Sequence, residues 1–589
     1  MNSRFRFLPG ILLLLTAAQT LRADPQLTSW FTANSGKYAR IYADTTSRTN
    51  GVSTPTWTGQ TSPVYSGVNE INSSSSWVYV RNSGMAGFVM GPWSNPNLPK
   101  NQAGVWRFPR TPNTSSPGTS LTGVGAIGLL VDGVAIYNTS DGFSYSVANA
   151  KDATPNGGIG AGDGIWNRDA FPNELVSFDY ALAHNPPSGE YHSHVNPIAT
   201  RYVLNDNVNY DGGTKNYAEN TATTNFAHSP IIGWLKDGLP LYGPYGYDGG
   251  STGATATASI SGGTVTAVNI TAGGTLYQSA PLVAFSGGGG SSAVATAVLS
   301  GGVVTSVIIT NGGTGYTSAP TVKIGGVRRI ISGYQLRDGT NGSTNLASTG
   351  RTTLPVWAAA AQARPATLAA GQYGPATTYT SASPTLTYTL GHFSEDYAYV
   401  GDPADFGGAT YIPGSRTNAG GVFYDLNKYN ARFCVTPEFP NGTWAYFTTI
   451  TSTGTSFYPY NVGRWYYGSP TGGTTTAAVM NADTPLAQQF IGGANKALTI
   501  GTPGVSGTNV TLTWSATEGG TYTVEASQNQ SSWTTKTSGL VAATDSASSS
   551  YTALGTSGTE YGRLSRTALA TYDSTGQTAA TVSQSATTS

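Results

Sequence analysis

Two stretches of the chain, "IGLLVDGVAIYN" (127–138) and "IGWLKDGLPLYG" (232–243), share Ile, Gly, Leu, Asp, Gly and Tyr in register. Each places Asp-Gly between two apolar runs. That pattern is the strongest short hairpin signal, because a type I′ turn needs positive φ at both central residues. The sequence therefore predicts hairpins turning at Asp132-Gly133 and Asp237-Gly238, in a core built from two related halves. Asp237 also admits a catalytic reading, although turn chemistry already accounts for it.

The rest of the chain has a similar texture. Apolar residues at helical spacing are scarce, while 34 Tyr and 12 Trp suit half-buried strands. A chain of 589 residues exceeds a single core, so a mainly β, multidomain protein is expected. Within 254–326, "SISGGTVTAVNITAGGTLYQSAPLVAF" returns as "VLSGGVVTSVIITNGGTGYTSAPTVKI", with Gly262 matching Gly301, Tyr277 matching Tyr316 and Pro281 matching Pro320. Two repeat units of period 39, each a small set of strands, are expected over 251–327, between Gly-rich borders. Their one charged residue is Lys323 and they hold no His or Cys, so a spacing or adhesion role is expected. Beyond 495, "VTLTWSATEGGTYTVEASQ" alternates Val510, Leu512 and Trp514 on one strand and Tyr522 and Val524 on the next. This resembles a fibronectin type III-like antiparallel β-sandwich over 495–573. The polar segment 574–589 reads as a disordered tail.

Arg4 and Arg6, a short apolar run and Ala23 have the layout of a secretory signal peptide over 1–23, with cleavage near Ala23. No later apolar stretch is long enough to span a bilayer, so a secreted or cell-surface protein without a transmembrane segment is expected. Lys plus Arg and Asp plus Glu number 29 each, and this balance gives no basis for nucleic acid as a partner. The single cysteine, Cys434, excludes an internal disulfide and reads as a small buried strand residue.

Four of the five histidines, His184, His192, His194 and His228, fall within one short region. In "GEYHSHVNP" an extended backbone points His192 and His194 to the same face and Ser193 to the other. Two imidazoles on one face can share a metal ion, with His184 and His228 completing the shell. Nitrogen donors without a thiolate suit a divalent transition metal such as Zn or Cu. Hydrogen-bonded core histidines, or a general acid/base site using Glu190, Asp179 or Glu438, are alternatives. His392 reads as a surface or packing residue. Tyr242, Tyr245, Tyr247 and "RWYYG" (464–468) could stack on sugars or simply pack. G-x-S-x-G, H-E-x-x-H, P-loop and dinucleotide motifs are missing.

The ordered segments "GEYHSHVNP", "HSPIIGWLKDGLPLYGPYGY", "RRIISGYQLR", "RTTLP" and "RFCVTPEFPNGTWAYFTTI" resemble the YHYH-domain proteins, a mostly bacterial secreted family. The resemblance covers roughly 75–250 and 328–470 and divides a β-sandwich-like YHYH domain into 24–250 and 328–490, around the repeats. It places Tyr191, His192 and His194 on the family signature, with Ser193 replacing its second Tyr. His184 resembles an upstream family histidine and His228 matches its "HSP". Some members carry further histidines where Ala445 and Phe447 stand here. No reaction is assigned to the family. The sequence thus leaves two readings open: a secreted metal-dependent enzyme, or a non-enzymatic surface or matrix protein engaged in adhesion or carbohydrate binding.

Overall fold

The computed structural model describes residues 24–153, 162–222, 226–555, 560–568 and 582–588. The segment read as a signal peptide lies outside them. The protein is mainly β, its longest described α-helices having six residues. No described helix is long and apolar enough to cross a membrane.

The centre of the structure is a seven-stranded sheet. Its strands in chain order are β1 (Ala126–Leu130), β2 (Ala135–Tyr137), β3 (His192–Ser193), β4 (Ile231–Leu235), β5 (Pro240–Tyr242), β6 (Ala431–Cys434) and β7 (Thr443–Phe447). Their spatial order is β6-β7-β5-β4-β1-β2-β3. The β1–β2 and β4–β5 hairpins are the two echoed sequences, and they meet through antiparallel β1 and β4. Gly128 pairs with Leu235, Leu129 with Trp234 and Leu130 with Gly233. These are corresponding positions of the echo exchanged across the pair, so a local two-fold axis runs through the Leu129–Trp234 pair. The related halves expected from sequence therefore form one continuous sheet.

The turns differ from the expected type. Gly133 and Gly238 have φ of 90° and 80°, but Asp132 and Asp237 are absent from the residues with positive φ. Gly133 N–H donates to the Leu130 carbonyl at 2.9 Å and Gly238 N–H to the Leu235 carbonyl at 2.8 Å. Each connection is a three-residue loop, a type I turn followed by a left-handed Gly. The Asp carboxylates favour it by accepting the N–H two residues on, from Val134 at 3.2 Å and Leu239 at 3.1 Å.

One face of this sheet, through Leu129, Trp234, Tyr242 and Phe447, packs on Val68, Ile71, Val80 and Phe108 of a five-stranded sheet. The other face buries Ile136, Ile232, Leu241 and Tyr446 against Ile41, Met85 and Met90. Cys434 is a free, fully buried core residue of β6.

Residues 254–324 form a six-stranded sheet in which the third strands of the two repeat units, Leu282–Ser286 and Thr321–Ile324, pair with each other. Each also pairs with the first strand of the other unit, so the units are interlocked rather than side by side. The chain enters and leaves this sheet through the paired strands Tyr245–Tyr247 and Val327–Arg329. Asp248 holds the junction, accepting from Arg328, Arg416 and the Leu282 N–H. The C-terminal region has a three-stranded and a four-stranded sheet around Val510, Leu512, Trp514, Tyr522 and Val524. The tail read as disordered departs from that expectation over Val582–Thr588, which pairs antiparallel with Glu560–Ala568. Backbone pairing at a sheet edge needs no apolar side chains, so a polar composition does not preclude it.

Asp237 is fully buried and accepts from Tyr446 Oη at 2.6 Å, Gly468 N–H at 3.0 Å and Leu239 N–H. Asp237→Ala should leave three buried donors without an acceptor and destabilise the protein by roughly 2–4 kcal/mol in urea unfolding. Retained wild-type stability would remove the carboxylate from the architecture.

Candidate metal centre

β3 sits beside β2 in parallel, pairing Ala135 with His192 and Ile136 with Ser193. The preceding chain folds back so that His184 and His192 exchange both backbone hydrogen bonds, at 3.1 and 3.0 Å. Directly opposed residues share a face, and alternation brings His194 to the same face. Ser193 points away, donating to the Leu182 carbonyl at 3.0 Å. The ring centres of His184, His192 and His194 lie 4.6 to 5.7 Å apart, and one ligating nitrogen of each lies within 4.8 Å of the others. Tyr137 stacks on His192 at 3.7 Å, and Phe178 covers His184 and His194.

Hydrogen bonding fixes the tautomers. His192 Nδ1 is 2.9 Å from the Glu190 carbonyl and His194 Nδ1 is 2.6 Å from the Asn138 carbonyl. A carbonyl only accepts, so each Nδ1 carries the hydrogen and each Nε2 of the neutral ring exposes a lone pair. His184 Nδ1 is 2.7 Å from Ser177 Oγ, which already donates its one hydrogen to the Glu174 carbonyl at 2.7 Å. The hydroxyl can then only accept, and His184 Nε2 is also a lone pair. His192 Nε2 and His194 Nε2 thus face each other at 3.1 Å with no hydrogen between them.

A carboxylate joins them that sequence reasoning missed. Glu174, the last residue of the short helix Ala170–Glu174, places Oε2 at 3.3 Å from His194 Nε2 and 3.5 Å from His184 Nε2. This oxygen is buried and has no hydrogen-bond partner among the described residues. Four donors around an ion at 2.0–2.1 Å in tetrahedral geometry lie about 3.3–3.4 Å apart; the His192–His194 pair at 3.1 Å and the Glu174 contacts at 3.3 and 3.5 Å match this, while the three histidine nitrogens together span up to 4.8 Å. Nδ1–H bonded to a backbone carbonyl is also the usual outer partner of a ligating histidine. Burial pushes Glu174 up to about 8, with Asp141 adding to it. Burial pulls His184 down to about 3 and His194 to about 4, and His192 falls well below its ordinary value. Protonation is therefore a poor way to separate the facing lone pairs.

The other residues singled out by sequence lie elsewhere. His228 is not part of the cluster: its Nδ1 bonds the Ser229 carbonyl at 2.7 Å and its ring packs on Tyr242 and Tyr247. His392 is buried, with Nε2 2.8 Å from Asp152. Glu190 and Glu438 accept from the phenols of Tyr137 and Tyr242, and Asp179 from Gly91 N–H and Tyr191 Oη. Tyr242, Tyr245, Trp465, Tyr466 and Tyr467 are buried packing residues rather than a stacking surface.

Residues 105–289 match the model of a family described as YHYH protein. This stretch is a YHYH domain. No curated protein and no solved structure matches the chain. The match contains both echoed hairpins, Glu174 and all three clustered histidines, and it ends inside the repeat sheet.

The YHYH domain's first hairpin and its second are docked alike. β5 and β7 run parallel as β2 and β3 do, pairing Leu241 with Tyr446 where Ile136 pairs with Ser193. Ala445 and Phe447 thereby occupy the positions of His192 and His194. Arg432, paired with Ala445, stands where His184 pairs with His192. The second half keeps the backbone frame and replaces the donors with core residues.

Because His194 stays neutral when folded and charges in the unfolded chain below about 6.5, stability falls as pH drops through that value. Between pH 7 and pH 5, chelator-treated wild type should lose about 2 kcal/mol more than His194→Asn in urea unfolding. Parallel losses would mean that His194 is not held neutral.

Proposed function

We propose that this is an exported surface or matrix protein whose YHYH domain is clamped by one buried divalent transition-metal ion. His184, His192, His194 and Glu174 are its ligands. The observation that carries this is the 3.1 Å approach of two Nε2 lone pairs, with an unpartnered carboxylate oxygen beside them. A cation turns that arrangement from repulsive to attractive. Three imidazoles and a carboxylate, without thiolate, suit zinc, with Cu(II) the other choice. The ligands come from a helix end, a folded-back bridge, and β3 with the residue after it, so an ion joins segments that a chain with one cysteine has no disulfide to join. Four protein donors close a tetrahedral shell, which favours a structural ion over a catalytic one.

Export is supported by the basic, apolar and small-residue layout of 1–23. The three-plus-four-stranded C-terminal sheets support a fibronectin III-like attachment module. The repeat sheet, with one charged side chain, supports a spacing role.

Metal analysis of the purified full chain should find about one ion per chain, lost in His192→Ala and His194→Ala and weakened in Glu174→Gln. Chelation should lower the melting temperature of wild type while leaving His192→Ala nearly unmoved. Wild type free of metal after zinc and copper loading would overturn the proposal. An ion whose removal leaves stability unchanged would instead favour the metal-dependent enzyme.

A further inference from the structure

A second site lies in a cavity of about 250 Å³ walled by Tyr42, Arg48, Tyr180, Tyr202, Tyr210 and Tyr217. Arg48 is buried, yet among the described residues no carboxylate pairs with it. Its Nη2 donates to Asn216 Oδ1 at 2.6 Å and its guanidinium lies over the Tyr180 ring. Nε has no partner, and no acceptor is placed on Nη1. The buried Arg201, by contrast, is neutralised by Asp206 and Glu219. A desolvated guanidinium without a counter-charge is costly, and an anion in the cavity would relieve it.

The walls narrow the choice of anion. Tyr210 and Tyr217 are a cross-strand pair, and with Tyr202 they form an aromatic wall with ring centres 4.9 to 5.5 Å apart. None of the phenol oxygens of Tyr42, Tyr180, Tyr202, Tyr210 and Tyr217 has a hydrogen-bond partner among the described residues. Ring faces with free hydroxyls at their edges suit a ligand with a C–H face and a rim of hydroxyls. The Asp179 carboxylate that also borders the cavity is occupied by Gly91, Ala181 and Ala183 N–H and Tyr191 Oη, so it does not compete for Arg48. The volume is below the ~300 Å³ at which drug-sized sites begin and fits a single sugar ring.

We infer that this cavity binds a uronic acid unit of an acidic polysaccharide, its carboxylate on Arg48 and its ring against the tyrosines. The inference is independent of the metal centre, since none of its residues is a ligand there.

Calorimetric titration of the full chain with galacturonate and glucuronate, beside galactose and glucose, tests it. The acids should bind at least tenfold more tightly than the neutral sugars, and the preference should fall as salt rises. Arg48→Gln should abolish the preference while keeping the wild-type metal content and fold, and Arg48→Lys should keep part of it. Tyr202 is exposed at the cavity rim, so Tyr202→Ala should fold and weaken the acids. Should Arg48→Gln not fold, the contrast between acid and neutral sugar in wild type, with its loss of affinity in Tyr202→Ala, decides. Equal binding of acid and neutral sugar, no binding of either acid, or an unchanged preference in Arg48→Gln would each overturn the inference. So would binding of inorganic phosphate or benzoate at this site in place of the acids.

Discussion

The antiparallel junction of β1 and β4 is the constraint from which the rest of the domain follows. Its register, centred on Leu129 and Trp234, sets two copies of one hairpin back to back. Gly128 and Gly233 lie on these strands where a Cβ would meet the backbone of the opposite strand or the neighbouring Leu129–Leu130 segment, at 2.6 to 3.0 Å. A side chain there would push the strands apart. With the junction closed, β2 and β5 become the outer strands of the pair, and each offers an unpaired edge on which a later segment docks in parallel. The candidate metal centre lies at one of those edges.

At the β2 edge the backbone dictates the chemistry. A strand two residues long, bridged on its far side by His184, sets three imidazoles on one face. Carbonyls and a committed serine hydroxyl then take each Nδ1, so that all the remaining lone pairs converge. Glu174 adds a negative or neutral oxygen, not a proton donor of ordinary acidity, and the aromatic lids Tyr137 and Phe178 keep water from diluting the field. The arrangement brings lone pairs and a carboxylate oxygen together as a small cation would require.

The β5 edge shows that the frame does not require an ion. There Ala445 and Phe447 fill the space with hydrocarbon, and Tyr242 reaches Glu438 just as Tyr137 reaches Glu190. Glu174 Oε2 and Arg48 Nε are two of the buried polar atoms left without a partner among the described residues, and each lies where further groups converge on it.

The sequence by itself determined the strand-rich character, the paired hairpins, the period of the glycine-rich repeat and the shared face of His192 and His194. These follow from local rules: alternation along a strand, Asp-Gly turn chemistry and self-similarity. Local rules reached less far where competing geometries share a signal, so Asp-Gly turned through a three-residue loop rather than two residues. Tertiary structure alone decided that His184 joins the doublet while His228 packs against tyrosines, that a helix-end glutamate unmarked by any motif comes to lie beside the histidines, and that the two repeat units exchange strands. Each of those depends on which distant segments the folded backbone brings within about 4 Å, a distance set by the register of the sheet and the path of the connecting loops. Spacing along the chain carries no record of it.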